Sequence, residues 1–306
     1  MTRPAPGGRD FAEGPLAVVG MGLIGGALVR GIRAAQPRRD IIAVDPDAET
    51  RAAVRRARLG VQVVPEVGEA VGAARTIVVA SPIAALGGIL DRLGKHMRPD
   101  ALLSDVIGVK VSVASLVARR LPGVAYVGAH PMAGGARGGF ANSRADVFRE
   151  STVAISPGPK ARPAHVRAIR ALWEAVGARP IDLSAEDHDR SVAFTSHLPY
   201  LMGLSLARLT ADRPGTARLA GPSFHDVTKR VSFEPNIMAA VVAHNPFMPD
   251  VLRDLAGEVL RLADLIDKDP AALVNEASAA RLRHLRPTGK VRRRAGRSTS
   301  RPRRSA

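Results

Sequence analysis

The 306-residue chain has no cysteine, so it forms no disulfide, binds no metal through thiolates and uses no cysteine nucleophile. Aromatic residues make up only 3%, with one Trp and two Tyr, which is poor material for stacking nucleic-acid bases. Long apolar runs are missing too. The longest, TIVVASPIAALGGIL, is interrupted by Ser81, Pro82 and Gly87 and is too short to span a bilayer. The first fourteen residues, MTRPAPGGRDFAEG, lack the apolar stretch of a secretory signal. Acid is absent from the other end: residues 285–306 carry nine Lys or Arg and no Asp or Glu. Those nine account for much of the net +17, leaving +8 for the rest of the chain. A Pro-, Ser- and Arg-rich segment of this kind buries too little apolar area to offset its chain entropy. The absences together predict a cytoplasmic protein with no membrane contact, and nucleic acid is not an expected partner. No metal is expected either.

Of the residues present, 46% are hydrophobic, enough for a sizeable core and two domains. Short apolar runs at 16–20, 41–45, 75–82, 101–106 and 124–129 alternate with helical patterns, the first reaching Ala35 and the second covering 46–59. That alternation is the sequence form of a mostly parallel, Rossmann-like sheet covered on both faces. STVAISP (151–157) and RPIDLS (179–184) extend the sheet around a helix at 161–177. From Ala185 the strand signals stop. One long helix, AEDHDRSVAFTSHLPYLMGLSLARL, is followed by at least three more, and LRDLAGEVLRLADLI carries the clearest apolar stripe. The predicted layout is a flexible N-terminus (1–14), a dinucleotide-binding α/β domain (15–183), an all-helical substrate and dimerisation domain (184–285) and a disordered basic tail (286–306). There is no internal repeat.

VVGMGLIGG places Gly20, Gly22 and Gly25 in a G-x-G-x-x-G pattern between a strand and a helix, with Leu23 and Ile24 in the first helical turn. Gly20 permits the tight turn, Gly22 lets backbone approach a pyrophosphate, and Gly25 lets helix and strand pack closely. Asp45 ends the second strand, where its carboxylate accepts bonds from ribose hydroxyls and repels a 2′-phosphate. NAD is therefore the expected cofactor. Ser81, Pro82 and Asp105 fall at or just past strand ends, where ligands of open α/β sheets lie, and complete the expected cofactor set. His130, in the glycine-rich stretch GAHPMAGGARGGF, reaches the same edge. An imidazole there is placed to act as a base at the nicotinamide.

GMGLIGG, SDVIGVK, GAHPMAGG, AEDHD and SHLPY occur in the order and approximate spacing of the prephenate/arogenate dehydrogenase family, which residues 15–250 resemble. The resemblance implies a homodimer and an NAD-dependent oxidative decarboxylation of a cyclohexadienyl acid. It assigns His130 as the catalytic histidine that engages the C4 substituent, and it places Gly108, His197, Tyr200, Lys229 and Arg230 around the substrate.

Three positions depart from the family pattern. Gly108 stands where D-x-G-S-V-K has a serine, and Tyr200 where SHLPH ends in histidine. Lys229 occupies the register of the substrate-gripping arginine, with Arg230 next to it; a lysine keeps the charge but loses bidentate geometry. Both a 4-amino-4-deoxyprephenate enzyme and an ordinary prephenate enzyme are compatible with these changes.

On the long helix, His188 and His197 lie about 180° apart and make no metal pair, while His197 and Tyr200 share a face. Pro199 should bend that helix. His188 and Asp189 read as a hydrogen-bonded pair that steadies the helix start. Two other readings stay open. One is a β-hydroxyacid-type dehydrogenase, although its G-x-x-x-K-x-x-x-N pattern is missing. The other is a non-enzymatic NAD-sensing regulator.

Overall fold

A computed structural model describes residues 14–285 except 136, 214, 233 and 234. The expected N-terminal segment and basic tail therefore lie almost wholly outside the described residues. Eight strands form one sheet in the order β3-β2-β1-β4-β5-β6-β7-β8. They are β1 (Leu16–Val19), β2 (Ile41–Val44), β3 (Gln62–Val64), β4 (Thr76–Val79), β5 (Leu102–Asp105), β6 (Ala125–Pro131), β7 (Thr152–Pro157) and β8 (Arg179–Asp182). Every neighbouring pair is parallel except β6 and β7. The seven expected strands are all present, and β3 is an addition.

Side chains alternate along β1. Leu16 and Val18 enter one core cluster with Trp173 and Phe148, while Ala17 and Val19 enter another with Leu86, Leu90 and Leu93. Burial on both faces explains why these strands read as continuous apolar runs. The helices that cover them are α1 (Leu23–Ala35), α2 (Ala48–Arg56), α3 (Glu69–Gly72), α4 (Ile83–His96), α5 (Val111–Arg120) and α6 (Pro163–Ala175). β6 pairs with β5 only through Leu102–Ala125 and Leu103–Tyr126, then runs on beside antiparallel β7. This overhang carries His130 past the carboxyl end of β5.

The long helix is present as α7 (Ala185–Val192), a π segment (Ala193–His197) and α8 (Leu198–Ala211). Proline supplies no N–H, and the chain adjusts just before it: the Leu198 N–H reaches back five residues to the Ala193 carbonyl. Ser184 caps α7 by accepting from the Asp187 N–H, and the expected His188–Asp189 hydrogen bond is present within its following turns. Further helices are α9 (Pro222–Thr228), α10 (Pro235–His244), α11 (Met248–Lys268) and α12 (Pro270–Leu285). The change from strands to helices falls after Asp182, whereas compactness divides the chain into units 1–252 and 253–306. In the second unit Arg261 bridges Glu258 and Glu276, and Val259, Leu260, Ile266, Val274 and Leu282 are exposed. Among the described residues no helix is long and apolar enough to cross a membrane.

Candidate functional site

The strand order reverses between β1 and β4, and the loop after β1 opens at that crevice. Gly20 has φ +100°, and a Cβ there would meet the Ala80 carbonyl oxygen at 2.7 Å. At Gly25 a Cβ would stand 1.9 Å from the Gly20 carbonyl oxygen, so contact between helix and strand demands glycine. Gly22 differs: a Cβ there meets nothing within 4 Å and would project into open space. Gly22 is also the N-cap of α1, with no side-chain cap and no acid in the first turn. The N–H groups of Leu23, Ile24 and Gly25 thus begin a helix whose positive end faces outward. Backbone donors, a bare glycine surface and a first turn without an acid fit a dinucleotide pyrophosphate.

Asp45 binds this loop to β2. One carboxylate oxygen accepts from the Met21 N–H at 2.7 Å, the other from the Asp47 N–H at 2.9 Å. A carboxylate has roughly four acceptor sites, so these two bonds leave capacity for ribose hydroxyls. Ser81 donates to the Val19 carbonyl at 3.1 Å, and Pro82 is the N-cap of α4.

Asp105 is held apart from this set. It is 1% exposed, and its oxygens accept from the Lys110 ammonium, the Tyr126 hydroxyl and the Ile107 N–H. These buried partners hold its carboxylate away from the glycine loop where the expected cofactor set would place it. Lys110 donates as well to the Ala129 carbonyl at 2.7 Å, directly before His130. Burial lowers the Lys110 ammonium, opposed by Asp105, and raises the Tyr126 phenol well above its usual value.

His130, next to last in β6, has its Nδ1 2.8 Å from His188 Nε2, and His188 Nδ1 is 2.7 Å from Asp189 Oδ1. Burial, and then the neighbouring His188, Lys110 and His197, push the His130 imidazole well below the usual histidine range. The ring is therefore neutral at pH 7. Its Nε2 faces Gly108: a Cβ built there would lie 3.6 Å from both His130 Nε2 and Cε1, and 3.5 Å from Val241. These are ordinary van der Waals distances, so packing alone does not require a glycine at position 108.

His197 is buried against Asn245, whose amide nitrogen lies 3.1 Å from His197 Nδ1, and burial pushes the ring down to about 4. Tyr200 is also buried. Lys229 is not gathered in: its ammonium pairs at 2.9 Å with Asp226 on an exposed surface, because the i, i+3 carboxylate is its nearest partner. The side chain of Arg230 lies outside the described residues. Sequence reasoning paired Asp189 with His188, as the 2.7 Å bond has it, but missed its bonds to the start of α5, and it missed the roles of Lys110, Tyr126 and Asn245 altogether. AEDHD and SDVIGVK contained Asp189 and Lys110, but no signal tied them to His130. Among the described residues, no group of His, Cys, Asp or Glu is arranged to hold a metal.

A family model described as the nucleotide-binding domain of prephenate dehydrogenase matches residues 28–182. The corresponding dimerization-domain model matches residues 184–276. A cyclohexadienyl dehydrogenase of Zymomonas mobilis is 28% identical, over 82% of this chain and 88% of that enzyme. A 4-amino-4-deoxyprephenate dehydrogenase of Streptomyces pristinaespiralis is 28% identical, over 67% of this chain and 68% of that enzyme. The solved prephenate dehydrogenase of A. aeolicus, in complex with hydroxyphenyl propionate and NAD+, superposes with a TM-score of 0.82 at 20% identity. That match covers 89% of this chain and 97% of the other, and it bears on the fold.

Proposed function

This chain belongs to the prephenate dehydrogenase family, and on that premise we propose that its substrate is a prephenate-like cyclohexadienyl acid with an amine at C4. It is an NAD-dependent oxidoreductase that acts with decarboxylation, and the β-hydroxyacid and regulator readings give way to that. The observation that carries the amine is Gly108 against the reactive edge of His130. A serine hydroxyl there would lie within reach of both the ring and a C4 hydroxyl. Its absence leaves a hydroxyl substrate short of one partner, whereas a neutral amine brings a second N–H of its own. The relative from S. pristinaespiralis, named for that substrate, supports the reading.

The glycine loop, the first turn of α1 and Asp45 would hold NAD+, whose nicotinamide would supply the acceptor for the hydride at C4. His130 Nε2 takes the proton of the C4 substituent as electron density moves into the ring. The bond between C1 and its carboxylate then breaks, CO₂ departs, and the electron pair left behind completes the aromatic ring. The proton returns to the C4 heteroatom. A neutral imidazole can do this at pH 7, and a protonated one cannot. The protein acts as a cytoplasmic homodimer, and the exposed apolar residues of α11 and α12 support the pairing.

The test compares kcat/KM for prephenate, arogenate and 4-amino-4-deoxyprephenate with NAD+. One buried polar partner gained or lost is worth roughly 1–3 kcal/mol, so the amine should be preferred by about tenfold to a hundredfold. Gly108→Ser should narrow that gap. Replacing His130 with Asn should cost about 10²-fold or more in turnover at unchanged NAD+ affinity. Faster turnover of prephenate by the unaltered enzyme would overturn the amine and leave the hydroxyl substrate.

A further inference from the structure

The cluster around His130 contains two more imidazoles, and the fold dictates which ring nitrogens carry hydrogen. Asn245 settles the first. Its side-chain oxygen accepts from the Phe247 N–H at 3.0 Å, which turns its NH₂ the other way. That NH₂ donates to the Asp189 carbonyl at 2.8 Å and faces His197 Nδ1 at 3.1 Å. Both amide hydrogens are thereby used, so His197 Nδ1 must accept. The ring hydrogen of neutral His197 then resides on Nε2, as a donor.

Asp189 settles the second. Its carboxylate accepts from the Lys110 N–H at 2.7 Å and the Val111 N–H at 2.9 Å, at the N-terminal end of α5. Those N–H groups and the positive end of the helix already balance its charge. It does not call for an imidazolium. It does call for a hydrogen on His188 Nδ1, 2.7 Å away. Neutral His188 then has a bare Nε2, which accepts from His130 Nδ1 at 2.8 Å. The remaining nitrogen of His130, the Nε2 beside Gly108, is left as a lone pair.

We propose that Asp189 is a positioning residue that gives the site its polarity. Through His188 it makes His130 an acceptor, and through its carbonyl it orients Asn245, which makes His197 a donor. One residue of the helical segment, bonded to the start of α5, thus fixes two opposite tautomers in one site. A substrate meets a lone pair at one ring and an N–H at the other, before any charge has moved. The inference rests on His130 being the base of the proposed reaction, because only then does its tautomer control turnover.

The experiment is nitrogen NMR of the full-length, NAD+-loaded enzyme labelled with ¹⁵N in its histidines, at neutral pH. His130 should show a hydrogen-bearing Nδ1 and a bare Nε2, and His197 the reverse. A hydrogen on His130 Nε2, or on both nitrogens of His188, would overturn the proposal. Asn245→Leu should release the His197 tautomer and leave that of His130 in place. Asp189→Asn keeps a capping side chain but loses the charge that holds the His188 hydrogen. In that variant His130 should become a mixture of tautomers, and kcat should fall by about 10²-fold or more with KM and NAD+ affinity little changed. A single unchanged His130 tautomer in Asp189→Asn would also defeat the proposal. The wild-type spectrum and Asn245→Leu decide the matter if Asp189→Asn does not fold. None of these spectra requires a substrate, so failure to oxidise any cyclohexadienyl acid would sink the proposed function alone.

Discussion

A Cβ on Gly25 would stand 1.9 Å from a backbone oxygen, whereas one on Gly108 would stand 3.5 Å or more from its nearest neighbours. Both glycines lie at the carboxyl edge of the same sheet, one beside the dinucleotide loop and the other beside His130. The first is compelled by the fold whatever the protein binds. The second is not compelled by packing, which leaves the position free to differ with the chemistry of the pocket. The carboxylates at the two edges differ likewise. Asp45 holds its own loop with acceptor capacity left over, while Asp105 is buried among Lys110, Tyr126 and a backbone N–H. The cofactor edge is set by backbone geometry, and the substrate edge by side-chain networks that can be exchanged.

Glycine replacement gives the largest effect and the most direct way to break this contrast. Gly25→Ala forces either α1 or the β1 loop to move, and overpacking against backbone costs about 1–3 kcal/mol or more. A lower Tm and loss of NAD+ binding should appear together. Gly22→Ala adds a methyl that meets no protein atom, so Tm should hold while NAD+ binding weakens. Gly108→Ala should keep both. Thermal melts with and without NAD+ check all three, and the contrast collapses if Gly108→Ala melts as low as Gly25→Ala.

The same contrast explains what could be read from the sequence. Strands buried on both faces were legible as apolar runs, and the loop glycines as a pattern, because short-range sterics cause both. β3 was not, since three residues at a sheet edge carry too little apolar signal. His130 and Gly108 were legible through the resemblance, but the partners that orient His130 were not. Asp189 is 79 residues from the Lys110 N–H it accepts, and Asn245 is 48 from His197. Tyr126 reaches Asp105 only because β5 and β6 pair in the register that sets it opposite Leu103. Such contacts depend on tertiary pairing, and no local pattern encodes them.

Acid should reveal the networked edge through stability. The folded-state values of His130 and His197 lie below the unfolded value near 6.5, so the unfolded chain binds more protons between the two. Stability is then complete above about pH 6.5 and falls as pH drops through it, with His197 contributing down to about 4. Each ring accounts for roughly 1 kcal/mol per pH unit within its window. Urea melts at pH 7, 6 and 5 measure the slope, and His197→Asn should reduce it. A flat profile would mean that the two rings are not held neutral by the fold.

The smallest effect concerns Lys229, the residue that the family pattern would place at a substrate carboxylate. Its ammonium lies 2.9 Å from Asp226, and both side chains are more than half exposed. An exposed pair three residues apart is screened by water and adds little to stability. Lys229→Ala should therefore leave Tm unchanged. KM should also stay close to that of the unaltered enzyme, because the lysine already has its partner and lacks the two-pronged geometry of arginine. Asp226→Asn sharpens the test by removing that partner. A side chain released in this way can swing toward an anionic substrate, so KM would fall if the pocket is within reach and stay level if it is not. A rise in KM of about tenfold or more in Lys229→Ala, the weight of one charged hydrogen bond, would return the lysine to the substrate edge. That edge would then have kept the family's charge while giving up its geometry, as it has given up the serine hydroxyl at Gly108.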